Sequence, residues 1–246
     1  MIESRKEKIK ASIAFIVIAL IVLIAGTIIL KYSVEGEKNM PFKLSKIYLI
    51  STAEGVENKE KDEKWNFNIY QNNDIYFTIE KNKDYDVKEK IQSVQISNIK
   101  VIKNSNKGKI KVFMPNSTEG RQFSYEKEYI LENNSLTYEG GTKTDIRNLN
   151  IGNQGGQIVI RFSNTDLGTY ISNEDEEIKH DGTLLKKVNV ENEDLDFTVS
   201  FDLIINIKNK AYKTSMKFDF PTGNIIETGT ESIEITDMEE YVFKRI

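Results

Sequence analysis

The chain has 246 residues and carries 34 Lys and Arg against 38 Asp and Glu, a net charge of −4. That near balance excludes a polybasic nucleic-acid binder, so no nucleic-acid partner is expected. The absence of Cys excludes disulfides and thiolate chemistry, and the single His excludes any site built on two imidazoles.

Residues 11–30 read ASIAFIVIALIVLIAGTIIL, with no charge in 20 positions. A helix of that length spans ~30 Å, the hydrocarbon thickness of a bilayer. Thirteen of the 20 are Ile, Leu, Val or Phe. At roughly −0.3 to −0.6 kcal/mol each, they favour insertion by about 4–8 kcal/mol. A soluble core helix is rarely apolar on every face. A cleaved signal peptide has a shorter apolar run and a small residue at −3; for cleavage after Ala25 that residue is Leu23. The expectation is an uncleaved transmembrane helix that uses the lipid bilayer as its partner. It has no small-xxx-small spacing to seat a second helix.

Four basic residues, Arg5, Lys6, Lys8 and Lys10, precede the helix, and Lys31, Lys38 and Lys43 follow it. The positive-inside rule then predicts residues 1–10 as a cytoplasmic tail, with everything beyond residue 30 outside the cytosol. Residues 31–42 read as a short polar stalk ending near Pro41, and residues 43–246 as one extracytoplasmic domain.

From Lys43 onward the dominant hydrophobic period is two, the period of half-buried strands. Trp65, Phe67 and Ile69 form one run; Ile75, Phe77 and Ile79 form another across an apparent break at Gln71, Asn72 and Asn73. Residues 92–101 change phase, which predicts a bulge near Ser97 and Asn98. Ile110, Val112 and Met114 follow, then Phe123 and Tyr125, then Leu136 and Tyr138. Residues 140–155 hold two Gly-Gly pairs and little alternation, the weak candidate for an internal boundary. Asp145 to Leu149 and Gly182 to Val188 suit single helical turns. Ile158, Ile160 and Phe162 form the next strand. The longest run, Leu195 to Ile207, alternates strictly and is followed after residues 208–210 by Tyr212 to Phe220, the pattern of a hairpin. Pro221 and Gly223 end it, and Ile233 and Ile235 close the series. No internal repeat is found.

About ten strands joined by short polar turns are mostly antiparallel. Two sheets packed face to face bury both apolar faces. The predicted fold class is therefore all-β: an antiparallel β-sandwich, jelly-roll-like or tandem immunoglobulin-like, behind one N-terminal transmembrane helix.

Five features invite a chemical reading. His180 with Asp181 is the one imidazole beside a carboxylate; a Ser/His/Asp triad needs it, but chain neighbours seldom point at one another. Ser97 and Lys100 match S-x-x-K, yet lie in a strand without the partner motifs. Gly152, Gly155 and Gly156 resemble a phosphate loop, but a strand follows where a helix is required. Residues 173–196 hold nine acids and three Lys; clustered carboxylates bind Ca²⁺, though no D-x-D-x-D-G loop fixes a geometry. Trp65 falls on the core face. Tyr76 falls on the opposite face, where a ring stacks on a sugar or a partner.

None of these is assigned as a catalytic, cofactor-binding or metal residue, and no enzyme activity is expected. The Lys-rich, Arg-poor composition, with abundant Asn and Ile and no Cys in an exported domain, suits a Gram-positive bacterium. The expectation is a non-catalytic binding or structural module of a bacterial cell envelope, with an envelope protein or wall glycan as partner. A carboxylate-dependent glycan hydrolase and a calcium-dependent adhesive or sensor module are the alternatives.

Overall fold

The computed structural model describes residues 2–57, 66–84, 88–116, 121–172, 179 and 181–246. The first element is the helix α1 (Ile2–Glu35). From Ser12 to Glu35 it is long and apolar enough to cross a membrane, and none of that stretch is buried against the rest of the protein. Phe15 and Leu30 stand 74% and 68% exposed. Water would penalise such a surface heavily, and lipid would not. The helix takes in Lys31 to Glu35, five residues read from sequence as stalk, so the non-helical link is only residues 36–41. Gly36 ends the helix in the left-handed conformation (φ 68°), its N–H bonded to the Tyr32 carbonyl at 2.9 Å.

The strands follow as β1 (Phe42–Glu57), β2 (Asn66–Lys81), β3 (Ile91–Lys103), β4 (Lys109–Phe113), β5 (Ser135–Gly141), β6 (Asn150–Gly152) and β7 (Gly155–Ile171). Two short helices, α2 (Thr183–Lys187) and α3 (Asn192–Leu195), lead to β8 (Phe197–Ile207) and β9 (Lys210–Phe220). The helical turn α4 (Ile225–Thr228) precedes β10 (Thr230–Ile235) and β11 (Lys244–Arg245).

They form two sheets, in the orders β10-β1-β2-β7-β4 and β11-β9-β8-β3-β5-β6. Every ladder is antiparallel except β5–β6. The pairs β2–β7 and β3–β8 each join segments from opposite sides of residues 140–155. The chain therefore does not divide at that Gly-rich stretch.

The apolar faces of the two sheets meet in one core. Phe77 and Phe162 of the first sheet interlock with Phe201 and Phe220 of the second, at centroid separations of 5.8 Å (Phe77–Phe201), 6.2 Å (Phe162–Phe201) and 6.3 Å (Phe162–Phe220). Such ring pairs add ~0.5–1.5 kcal/mol each beyond the area they bury. A second apolar cluster, including Phe67, Ile69, Leu184, Leu185 and Ile225, lies under the short helices at the far end of the first sheet.

The hairpin β8–β9 runs in unbroken register from Phe197 opposite Phe220 to Ile207 opposite Lys210. The predicted bulge is present: the β3–β8 register slips between Ser97 and Lys100, and Asn98 has φ 52°. Asn tolerates this left-handed geometry better than most residues. The two predicted helical turns are also present, at Ile146–Asn148 and at α2.

Two predicted features differ. Gln71 to Asn73 are not a turn; β2 passes straight through them. Phe123 and Tyr125 are not a strand. They lie in a segment without strand pairing that covers the outer face of the first sheet, where Phe123 packs with Phe113 and Val159. Its backbone is held to the edge of β4 by Leu131 N–H to the Val112 carbonyl at 2.8 Å and Met114 N–H to the Tyr129 carbonyl at 3.0 Å.

Candidate functional site

The polar centre of β2 is the most distinctive chemistry in the described residues. Gln71, Asn72 and Asn73 are at most 1% exposed, and Asp74 is 8% exposed. Strand alternation sends Gln71 and Asn73 inward, and Asn72 and Asp74 outward. Inward, Asn73 accepts from Ser51 Oγ at 2.7 Å and donates to the Phe162 carbonyl at 3.2 Å. Ser51 Oγ also accepts the Thr222 N–H at 2.8 Å. Gln71 donates to the Leu195 carbonyl at 3.3 Å. This polar belt separates the two apolar clusters on the same face.

Outward, Asp74 receives two bonds from Arg161 of β7, Nε to Oδ1 at 2.6 Å and Nη2 to Oδ2 at 2.8 Å. The guanidinium lies 4.2 Å from the Phe123 ring centroid, a cation–π contact. Burial alone would lower the Arg161 pKa, but the Asp74 charge and hydrogen bonds prevail and the net direction is upward. Glu54 of β1 gathers three donors: Asn72 Nδ2 at 2.8 Å, Arg121 Nη1 at 3.1 Å and the Tyr125 hydroxyl. Burial, with Glu54 beside it, raises the Tyr125 pKa well above the phenol range, so Tyr125 serves as a fixed neutral donor.

An open cleft of about 460 Å³ adjoins this network. Glu54, Arg121, Phe123 and Arg161 line it, with Gln122 and the hydroxyl-bearing Thr52 and Thr230. Gln122 Oε1 accepts from the Tyr76 hydroxyl at 3.0 Å, while its buried Nε2 has no partner among the described residues. The cleft thus offers a carboxylate, the exposed Arg121 guanidinium and two hydroxyl-bearing side chains. That set suits a small polar group with both acceptors and hydroxyls. Among the described residues, Glu54 is the one carboxylate in its lining.

This arrangement changes the reading of Tyr76. Its ring is not an open platform: it packs under the covering segment, with its hydroxyl engaged by Gln122 and its pKa pushed up to about 12 by burial and then by Asp74. Trp65 and His180 lie outside the described residues. Asp181 accepts the Thr183 N–H at 2.9 Å at the start of α2. Ser97 and Lys100 sit in β3 on either side of the bulge, opposite Asp202 and Ser200. Gly152 to Gly156 form the turn into β7, and the Gly152 N–H is taken by Thr144 Oγ1 at 3.0 Å. Within the acidic stretch, Glu191 and Asp194 form the capping box of α3. Residues 173–178 lie outside the described residues, and no three His, Asp or Glu side chains gather among the described ones.

No family model, curated protein or solved structure matches this chain.

Proposed function

We propose that this chain is a single-pass membrane protein that presents a non-catalytic binding module outside the cytosol, in a bacterial cell envelope. The observation that carries the reading is α1: from Ser12 to Glu35 it is long and apolar enough to cross a membrane, it is unburied, and a six-residue link joins it to the sheets. The link is short and tied down. Glu37 N–H bonds the Phe243 carbonyl at 2.8 Å, and Arg245 N–H bonds the Tyr32 hydroxyl at 2.9 Å. A module so tethered works within a few nanometres of the bilayer.

We read the two sheets as a β-sandwich of jelly-roll-like rather than tandem immunoglobulin-like type, because β2–β7 and β3–β8 pair across residues 140–155. The cleft beside Glu54 and Arg161 is the site at which it takes its partner, a polar group of an envelope protein or a wall glycan. A binding role suits the cleft better than carboxylate-pair hydrolysis. That reaction needs two acids ~5–9 Å apart, and among the described residues only Glu54 lines the space.

Protease added to intact cells tests the topology. The reading predicts digestion of the sheets with the N-terminal tail protected; full protection of the sheets contradicts it. Arg121→Ala in the cleft, assayed by crosslinking to envelope components in living cells, tests the site. Loss of the crosslinked adduct supports it, and an unchanged adduct pattern removes it.

A further inference from the structure

The strand topology gathers several Lys-rich segments at one end of the sheets. β1 begins and β2 ends beside the exit of α1, with Phe42 paired to Lys81 and Asn82 N–H bonded to the Pro41 carbonyl at 2.8 Å. The start of β3, the β8–β9 turn and the C-terminus lie at the same end. Lys88, Lys90 and Lys208 share one open groove of about 510 Å³. Ile246 N–H bonds the Ala211 carbonyl at 2.9 Å, and Phe243 holds the link after α1. Segments 31–43, 81–84, 88–90, 208–210 and 244–245 lie at this end; they carry eleven basic and four acidic residues. Lys83, Lys88, Lys90 and Lys208 are exposed. The ion pair found here among the described residues is Lys38 with Glu35, at 2.6 Å. At the opposite end, around the entry to β8, the described residues 179 and 181–196 carry five acids and three Lys.

We infer that the basic end is a docking surface for the headgroups of anionic phospholipids in the leaflet from which α1 emerges. The inference rests on the membrane reading of α1 and goes beyond it. An anchor alone holds the module near the bilayer; a basic end on the headgroups also orients it, with that end down. Exposed Lys within a Debye length of an anionic surface are attracted to it, and salt weakens the attraction. Lys side chains suit this surface because their long stems let the ammonium reach the headgroup plane.

The chain has no Cys, so single labels are placed at will. Gln92→Cys puts a fluorophore at the basic groove, and Asn104→Cys puts one at the far end, just beyond β3. The full-length protein is reconstituted in vesicles of phosphatidylcholine alone, or with about 30% phosphatidylglycerol, each containing a lipid with a nitroxide on its headgroup. The expected result is at least about twofold more quenching at position 92 with phosphatidylglycerol. The excess should disappear at about 0.5 M salt, where the Debye length falls to ~4 Å. K88E/K90E/K208E should abolish it too; the milder K88Q/K90Q/K208Q should reduce it if the Glu variant misfolds. Position 104 should stay unquenched throughout. Equal quenching at position 92 in both lipids, with the protein resisting carbonate extraction, overturns the docking surface and leaves the anchor standing. Release by carbonate from both vesicle types overturns the anchor and the docking surface together.

Discussion

Asp74 of β2 and Arg161 of β7 stand directly opposite one another in the antiparallel ladder, and Asp74 accepts two short hydrogen bonds from Arg161 across it. The pair lies under the segment bearing Phe123 and Tyr125, which shields it from water. Removing one partner of a shielded pair leaves an uncompensated charge and costs ~3–5 kcal/mol. Arg161→Ala should therefore lower the melting temperature of the detergent-solubilised full-length protein by roughly 6–20 °C, at ~2–4 °C per kcal/mol for a domain of this size. The double exchange D74L/R161M, which removes both charges, should lose less than R161A. A shift under ~2 °C for R161A would show that the pair behaves as an exposed one.

Ser51 and Asn73 test the inward half of the same belt. Each is fully buried, and they share a 2.7 Å hydrogen bond. Asn73→Ala removes the acceptor of the buried Ser51 O–H and a donor to the Phe162 carbonyl, and should cost about 1–3 kcal/mol. A double-mutant cycle with Ser51→Ala, read by urea denaturation, should show a coupling of ~0.5 kcal/mol or more. Additive losses would mean that the two side chains act separately.

This belt also marks where sequence patterning stops working. Alternation finds strands that have one wet and one dry face, so it located β8, β9 and the bulge in β3 directly. In β2 it meets Gln71, Asn72, Asn73 and Asp74, polar on both faces, and reads a turn. The strand continues because each amide or carboxylate finds a partner on β1, β7 or α3. Those partners lie between 18 and 124 residues away in the chain, and no local signal encodes them. Phe123 and Tyr125 mislead in the opposite sense. Two aromatics at i and i+2 imitate a strand, but here they roof the Arg161 network. Arg161 itself left one trace, a lone charge within an apolar alternating run.

Asp202 gives a pH prediction on the other sheet. It is 8% exposed on the outer face of β8. Burial opposes its ionisation, but hydrogen bonds from Ser215 and Asn98 and the charge of Lys213 outweigh it, so its pKa is lowered. A carboxyl lowered by folding stabilises fully above its unfolded value of ~3.9, and that contribution is lost as pH falls through the folded value. Denaturation midpoints should therefore fall between pH 5 and pH 2.5, and D202N should show a shallower fall. Parallel pH profiles for the two proteins would dismiss the role of Asp202.

Gly140 sits where β5 passes β3 closely. A Cβ there would lie 2.1 Å from the Ile91 carbonyl oxygen and 2.8 Å from that of Gln92. Backbone cannot yield to it as a flexible side chain would, and close approach is a recognised reason for Gly within a strand. Gly140→Ala should cost ~1–3 kcal/mol, the typical penalty for overpacking. Gly141, whose Cβ would meet its nearest atom at 3.6 Å, is the control and should lose much less. Equal losses at the two positions would argue against the close approach.

The central claim is that α1 is solvated by lipid. Its most direct test is alkaline carbonate extraction of membranes from cells expressing the full-length chain, beside a variant lacking residues 11–30. The account predicts that the full-length protein stays in the membrane pellet and needs detergent for release, while the variant is found in the soluble fraction. A full-length protein that is released by carbonate and stays monomeric in plain buffer would contradict it.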